Sequence, residues 1–376
     1  MDKIRVLHLI TDSKIAGAEN LLIEIAENYD KDKFEFIFCT LRKRGRLHIE
    51  LEKRGAKALS LNTQHWNQYI LAIYPLIKII ISERIDIIHT HLIHASLIGM
   101  LAGRLFTRRT CIVTRHYSDF AYLYKGYFIR LMDKISLLLA HKIIAISGAC
   151  KKVLVEKDSV EESKIKVVYN GIDLDHFDAN FSQRNITKPI FGINERTLTI
   201  AQIGTFHHRK GHFYSFQAIR QLKKVYPNFR FLVIGEGELK GYLIRLCTNL
   251  RIEDKVIFLG YRRDIPQILN AVDILIQPSL EEGFGITLLE AMAARKVVIA
   301  NNIGGIPEVI DNNVSGFLIV PKDIDSLAAK IAEILSNFDK YKNIRENARN
   351  KVEKEFTIQK MVDGYQSMYS DILGRD

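Results

Sequence analysis

Apolar residues along this chain keep two alternating rhythms. Short, nearly unbroken runs at 4–10 (IRVLHLI), 34–40 (FEFIFCT), 56–61 (AKALSL), 86–91 (DIIHTH), 110–115 (TCIVTR) and 142–147 (KIIAIS) have the length and β-branched content of strands buried on both faces. Between them, from about Glu19 and near 46–54, 67–82, 94–106 and 127–139, apolar positions recur every three or four residues, the period of a helix. The series closes with IKVVYNGID (165–173) at an Asn-Gly turn. A second one follows, with strands at 198–204, 229–235, 255–260, 273–278, 296–301 and 315–320 and helices from about 211 and near 238–248, 264–271, 285–294 and 324–336. Strand, helix, strand in regular succession predicts a parallel, doubly wound sheet. Two such series predict an α/β protein of two Rossmann-like domains with a cleft between them.

The segment 176–197 (HFDANFSQRNITKPIFGINERT) carries turn formers and no sustained period, which marks a linker. The expected organisation is therefore a first domain at 1–175, the linker at 176–197, a second domain at 198–337, and C-terminal helices at 338–376. These last helices have no strand of their own to cover and are free to cross back to the first domain. In open α/β sheets, ligands sit beyond the carboxyl ends of the strands, so the loops there carry the chemistry.

Composition narrows the class. With 376 residues and 47% apolar content the chain can bury an ordinary core, which excludes fibrous, disordered and disulfide-scaffold proteins. Cys39, Cys111, Cys150 and Cys247 lie far apart without any CxxC, so they read as reduced thiols of a cytoplasmic protein rather than as a zinc or disulfide framework. The first apolar run is interrupted by Arg5 and His8 and is too short for a secretory leader. The runs at 70–81 and 92–103 fall well short of the ~20 residues that span a bilayer. Charge is uneven: of the net +11, residues 36–152 hold 19 Lys and Arg against 6 Asp and Glu, so this window alone carries +13. A concentrated basic region points to nucleic acid, a membrane surface or a phosphorylated substrate.

The strongest chemical signal is SLEEGFGITLLEAMA, residues 279–293. A strand ends at Pro278, Gly283 and Gly285 permit a tight turn, and an Ala/Leu-rich helix follows, whose first N–H groups favour an anion such as a diphosphate. Glu282 precedes the turn, and Glu290 lies in an otherwise apolar stretch where an unpaired carboxylate is costly. On a continuous helix the two would be about 12 Å apart. That is too far to share a proton or a metal ion, and it suits two ends of one elongated ligand. Either Glu alone is equally well explained as a cap or a salt bridge; the pair around a Gly-x-Gly loop is what points to function.

The Glu282 and Glu290 spacing, E-x7-E, resembles the retaining glycosyltransferases of family 4, which have the GT-B fold of two facing Rossmann-like domains. The likeness runs along most of the chain. Ala16-Gly17-Ala18-Glu19 is similar to that family's N-terminal Gly-Gly-x-Glu loop, with Ala16 in place of the first glycine. Asn170-Gly-Ile-Asp173 resembles its interdomain segment, His207-His208-Arg209-Lys210-Gly211 its basic Lys-Gly turn, and Gly304-Gly305-Ile-Pro-Glu308 its second glycine loop. The resemblance implies metal-independent, retaining transfer of a sugar from a nucleotide-sugar donor, UDP- or GDP-linked, with no cofactor required. It implies that Glu290 bonds the ribose, that Glu282 and the backbone of Gly283, Phe284 and Gly285 hold the hexose, and that Lys210 neutralises the diphosphate. Gly17 would let phosphate approach. The family's Gly-Arg is here Gly204-Thr205, and Arg209 is the candidate substitute. His91 matches the family's active-site histidine, and Arg115 and His116, in a polar stretch running to Asp119, are assigned to the acceptor.

On this reading Glu282, His91 and Lys210 are the catalytic candidates, and the acceptor is a saccharide or lipid-linked saccharide of bacterial cell-surface polysaccharide synthesis. A GT-B-like epimerase or phosphorylase would use the same ligands. A nucleic-acid binder is the remote alternative, since no recognition motif stands out. The donor loops fall in the C-terminal half, so the basic window 36–152 is not there for the donor's phosphates. Its clusters, Arg42 to Arg46, Arg104 with Arg108 and Arg109, and Tyr124 to Arg130, mix cations with aromatic and aliphatic side chains, as a peripheral protein on an anionic membrane would, the alternative being a solvated basic surface.

Overall fold

The structure is a computed structural model and describes residues 3–118, 126–178 and 188–374. The middle of the expected linker, 179–187, lies outside the described residues, as do Asp119 of the polar stretch and Tyr124 and Lys125 of the third basic cluster. The chain divides into two compact units, Met1–Gly171 with Ile358–Asp376, and Ile172–Thr357.

The first unit is built on seven parallel strands: β1 (Ile4–Ile10), β2 (Phe34–Arg42), β3 (Lys57–Thr63), β4 (Ile87–His91), β5 (Thr110–Arg115), β6 (Lys142–Ala145) and β7 (Ile165–Val167). Their order is β3-β2-β1-β4-β5-β6-β7. The chain starts in mid-sheet, winds to one edge, returns and winds to the other, so the direction reverses between β1 and β4. Their register places His8 opposite His89 and Ile10 opposite His91. The helix expected at 67–82 is a 3-10 turn, Trp66–Ala72, followed by an α-helix, Ile73–Ser82. Pro75 explains the change, because in the first helical turn its missing N–H breaks no bond. The helix Ile358–Leu373 belongs to this unit and buries Tyr365 and Tyr369.

The second unit holds β8 (Leu198–Ile203), β9 (Phe229–Ile234), β10 (Val256–Gly260), β11 (Ile274–Gln277), β12 (Val297–Asn301) and β13 (Phe317–Ile319), in the order β10-β9-β8-β11-β12-β13. Here the reversal lies between β8 and β11. One face of its core is filled by Phe216, Phe229, Phe231 and Ile274 together with Leu327 and Ile331 of the helix Ile324–Ser336. Lys188, in the segment read as linker, is buried in this unit: its ammonium lies 2.9 Å from Asp273 and donates to the Thr197 carbonyl at 2.8 Å. The helical stretch expected over 338–372 is broken at Phe356 and Thr357, between the helices Lys342–Glu355 and Ile358–Leu373. Thr357 bridges to Ile172 there. Among the described residues no helix is long and apolar enough to cross a membrane.

Candidate active site

The loops that follow β8 and β11, on either side of the reversal, bring the sequence's donor candidates together. After β8 the chain passes Gly204 into a short turn, His208–Lys210, and then the helix His212–Val225. Gly211 joins them with φ +67, and a Cβ there would fall 1.9 Å from the Pro278 carbonyl oxygen. That contact is possible only for glycine, and it seats the Lys210 turn against the loop leaving β11. The Leu280 N–H donates to the Arg209 carbonyl at 2.7 Å, fixing the same junction from the other side.

The Lys210 ammonium donates to Glu282 at 2.6 Å. The same carboxylate oxygen accepts from the Gln277 amide at 2.8 Å and from the Ser279 hydroxyl at 3.4 Å. Burial alone would push the Glu282 carboxyl up, but Lys210, then Arg209 and the Gln277 amide, hold it below the ordinary carboxylate range. Arg209 lies 3.3 Å from the buried Glu281. Glu281 differs in sign from Glu282: burial outweighs Arg209, and its carboxyl is raised. The site thus pairs two cations with two carboxylates, of which Glu282 is firmly ionised.

Two glutamines at strand ends orient these groups. Gln202 of β8 donates to the Lys210 carbonyl at 2.8 Å and accepts from Ser215 at 2.6 Å. Gln277 of β11 accepts from Thr287 at 2.6 Å while donating to Glu282. Sequence reading passed over both glutamines, Ser279 and Glu281. A polar residue as the last inward position of a buried strand was the available signal. The Gly304-Gly305 loop also meets the site, since the Gly305 N–H donates to the Glu282 carbonyl at 3.2 Å.

Glu290 lies half-buried on the helix Ile286–Ala293. That helix begins only after Gly285, at φ 105, so a turn separates it from Glu282 and the ideal-helix spacing does not describe the pair. Phe284 points into the core, with its ring edge-to-face on Phe356 at 5.4 Å. Only its backbone, with Gly283 and Gly285, is left to line a ligand. In the first unit, Gly17 opens the helix Gly17–Asn28, and a Cβ on it would meet nothing within 4 Å. The neighbouring Glu19 is buried and accepts from the Ala16 N–H at 3.2 Å. Burial, only partly offset by backbone hydrogen bonds, raises its carboxyl to about 7.

The histidines assigned to the acceptor belong to a larger buried network. His8 Nδ1 and His91 Nε2 lie 3.2 Å apart, and His91 Nδ1 and His116 Nε2 3.1 Å apart. His89 is held by the Tyr369 hydroxyl at 2.5 Å and the Thr114 hydroxyl at 2.6 Å. Burial lowers His8 to about 3, His116 to about 4, and His89 and His91 well below the ordinary value. All four are neutral near pH 7, each with one donor and one acceptor. His8 Nε2 is buried without a partner. A proton there would orphan an N–H, the rarer situation, which assigns the proton to Nδ1, so that His8 donates to His91 and His91 to His116. His8, His89 and His91 offer nitrogens within 4.8 Å of one another, a set that could hold a metal ion. Both nitrogens of His89 and His91 and Nδ1 of His8 are engaged in hydrogen bonds, and His8 Nε2 is the one of the six that is not.

Two expectations change. Arg115 does not line an acceptor pocket: its side chain is 2% exposed and is clamped by Asp133 and Asp158, with the Tyr117 ring 4.5 Å away. A guanidinium neutralised by two carboxylates in the core serves packing. His91 has both nitrogens engaged by other imidazoles, and His116, half-buried at the end of the chain of bonds, is the ring nearer solvent. His8, missed in the sequence, follows from the β1/β4 register.

Two Rossmann-like units, each with the reversal of a doubly wound sheet, and a carboxylate–lysine pair at one reversal are the architecture of a GT-B glycosyltransferase. Residues 15–176 match the family model "Glycosyltransferase Family 4" and residues 183–351 match "Glycosyl transferases group 1". A relative in Escherichia coli, UDP-Gal:alpha-D-GlcNAc-diphosphoundecaprenol alpha-1,3-galactosyltransferase, is 27% identical across 99% of this chain and 98% of its own. A glycosyltransferase from Rickettsia africae is 25% identical, with a TM-score of 0.82 and full coverage of both chains. Anabaena HepE, solved with UDP and glucose, superimposes with a TM-score of 0.86 at 23% identity over 98% of this chain and 100% of its own. Together the two models cover most of the chain, which is a GT-B glycosyltransferase of the family 4 type.

Proposed function

We propose that the protein transfers a hexose from a UDP-sugar to a hydroxyl of a lipid-linked or polymeric saccharide, with retention at the anomeric carbon and without a metal ion, in the assembly of a bacterial surface polysaccharide on the cytoplasmic face of the membrane. The observation that carries this is the Lys210–Glu282 pair, 2.6 Å apart where the β8 and β11 loops meet. When the bond from the anomeric carbon to the phosphate oxygen breaks, the electron pair stays on the departing nucleoside diphosphate. A cation already positioned there stabilises that charge without reorganisation, and Lys210, with Arg209 beside it, is that cation. Glu282 is ionised, held by three donors, and suited to receive hexose hydroxyls. Glu290 takes the ribose, and the backbone of Gly283 to Gly285 lines the sugar. Gly17, with open space over it, borders the phosphates. His116 faces the acceptor, and His91 acts as a positioning residue through it. The acceptor oxygen bonds the anomeric carbon on the face the phosphate leaves, and its proton passes to the leaving phosphate.

UDP is favoured because the Escherichia coli relative is named for UDP-Gal and HepE was solved with UDP. The same relative's diphosphoundecaprenol acceptor supports a lipid-linked saccharide. The test is a metal-free incubation with UDP-, GDP-, ADP- and dTDP-sugars, with thermal stabilisation by each nucleoside diphosphate measured in parallel. Release of UDP, together with Glu290→Ala weakening UDP binding at least tenfold, is the expected result. No nucleotide release from any donor, with unchanged nucleotide binding by the Ala variant, sinks the proposal. Conversion of the donor to an isomer without acceptor would make the protein an epimerase instead.

A further inference from the structure

The two ion pairs of the site stand on the same two stretches of backbone, yet they are built differently. Arg209 and Lys210 are neighbours in the turn His208–Lys210, and Glu281 and Glu282 are neighbours in the loop leaving β11. The bond from the Leu280 N–H to the Arg209 carbonyl ties the stretches together. The Lys210–Glu282 contact is short, 2.6 Å, and both of its side chains are largely shielded from water. Gln277 and Ser279 hold its carboxylate, and Gln202 holds the Lys210 carbonyl. Arg209 Nη1 and Glu281 Oε2 meet only at 3.3 Å, beyond the roughly 2.7–2.9 Å of a well-made charge-assisted bond.

The members of this second pair differ in freedom. The Glu281 side chain is 2% exposed and that of Arg209 is 30% exposed. The carboxylate is therefore fixed and desolvated, while the guanidinium stands at the rim on an anchored backbone, with a long side chain that can turn. Charge adds a constraint. With two cations matched by two carboxylates, the quartet offers a diphosphate little net attraction. An anion that reaches Arg209 and Lys210 also comes near Glu281, and the like charges repel. The state of Glu281 agrees with this, since burial outweighs Arg209 and raises its carboxyl even with the guanidinium beside it.

We propose that Glu281 competes with the diphosphate of the donor for the Arg209 guanidinium, and so sets how tightly nucleoside diphosphates are held and how fast the nucleotide product leaves. Between turnovers Glu281 holds Arg209. When the donor binds, the guanidinium turns from Oε2 to a phosphate oxygen, and the carboxylate left behind is desolvated and poorly compensated. That cost weakens the hold on the diphosphate. After transfer the guanidinium returns to Glu281, and the product is released. Lys210 stays in place throughout, because its partner Glu282 is fixed by Gln277 and Ser279. Glu281 is thus a positioning residue that acts through Arg209. The inference rests on the proposed function for the diphosphate's place beside these two cations.

The test compares wild type with Glu281→Gln, Arg209→Gln and the double variant by isothermal titration with UDP, UMP and uridine, and with inorganic pyrophosphate, which carries no base. Glu281→Gln keeps the size and hydrogen-bonding capacity of the side chain and removes its charge. It is expected to tighten UDP and pyrophosphate about tenfold, UMP less, and uridine not at all, because the gain follows phosphate charge. Displacement of bound UDP should slow by about the same factor. In the Arg209→Gln background the gain should shrink to about twofold or less, since no guanidinium is left to compete for. Glu281→Ala should shift both diphosphate ligands in the same direction, so the outcome does not hang on the folding of one variant. Unchanged or weaker binding of UDP and pyrophosphate by both Glu281 variants overturns the proposal, and would make Glu281 a clamp that aims Arg209 at the phosphates. An equal gain for uridine, or a gain undiminished by Arg209→Gln, overturns it as well. Pyrophosphate tightened through Arg209 in a protein that neither binds UDP nor releases nucleotide supports the competition while refuting the proposed donor.

Discussion

Lys210→Met separates two roles of one ammonium group. In the resting site Lys210 compensates Glu282, with only 16% and 12% of the two side chains exposed. Removing one member of a buried pair typically costs ~3–5 kcal/mol, because the other charge is left desolvated. Here Glu282 keeps the Gln277 amide at 2.8 Å and the Ser279 hydroxyl at 3.4 Å, so the loss should lie lower, at ~2–3 kcal/mol. Adding Glu282→Gln removes the stranded charge, and the double variant should regain most of that stability. Catalysis should not follow. Without a cation on the departing diphosphate, turnover should fall ~10²–10³-fold, the effect of losing one preorganised charge-stabilising donor, in the single and the double variant alike. Urea denaturation and a nucleotide-release assay on the four proteins of the cycle measure both quantities. A double variant no more stable than Lys210→Met, or a Met variant within twofold of wild-type turnover, refutes this account of the pair.

Three further outcomes follow from groups already described. Glu19 is raised to about 7 in the folded chain, so the folded state holds a proton that the unfolded state has released. Its contribution is fully present below about pH 4.5 and is lost as pH rises through 7, a change of about 3 kcal/mol. Glu19→Gln should flatten the stability profile across that window in urea titrations, and an unchanged slope would disprove the assignment. His116, lowered to about 4, has the opposite sign: the unfolded state binds the proton first, so stability is intact above pH 6.5 and falls by about 3 kcal/mol as pH drops through 4. His116→Gln should remove that acid-side loss, and a variant as acid-labile as wild type would count against it. Gly211→Ala forces a Cβ to 1.9 Å from the Pro278 carbonyl oxygen, which the backbone must relieve by parting the two loops. Thermal melting and nucleotide binding should both weaken, the latter more than tenfold, and normal UDP affinity in a folded variant would show that the junction does not set the site.

Much of the fold was legible because buried parallel strands are continuous apolar runs that no surface helix imitates. The periodicity located β1 to β6 and β8 to β13 to within two residues or so at each end, but it ran β7 on through the Asn170-Gly171 turn when the strand stops at Val167. It also did not see that 338–372 is two helices assigned to different units, since a two-residue break leaves the helical period almost undisturbed. In the site, Glu282, Lys210 and Arg209 were legible because charge near glycine in a strand-to-helix loop is conspicuous. Gln202, Gln277 and Ser279 were not, because each looks like an ordinary strand-end polar residue until its partner is known. Arg115 was misplaced for the converse reason. Its partners Asp133 and Asp158 lie 18 and 43 residues away, and local density of polar residues says nothing about which of them point inward.

The helix Ile358–Leu373 is made after the whole of the second unit, yet it belongs to the first. On a ribosome, the later-starting unit, contiguous from Ile172 to Thr357, has every residue it needs before the earlier one does. The seven-stranded sheet must wait, with the face bearing His8 and His89 uncovered, until Tyr365 and Tyr369 arrive to close it. The usual order of amino-terminal domain first is thereby reversed for the final step, and the bond between His89 and the Tyr369 hydroxyl is the last link of the histidine network to form.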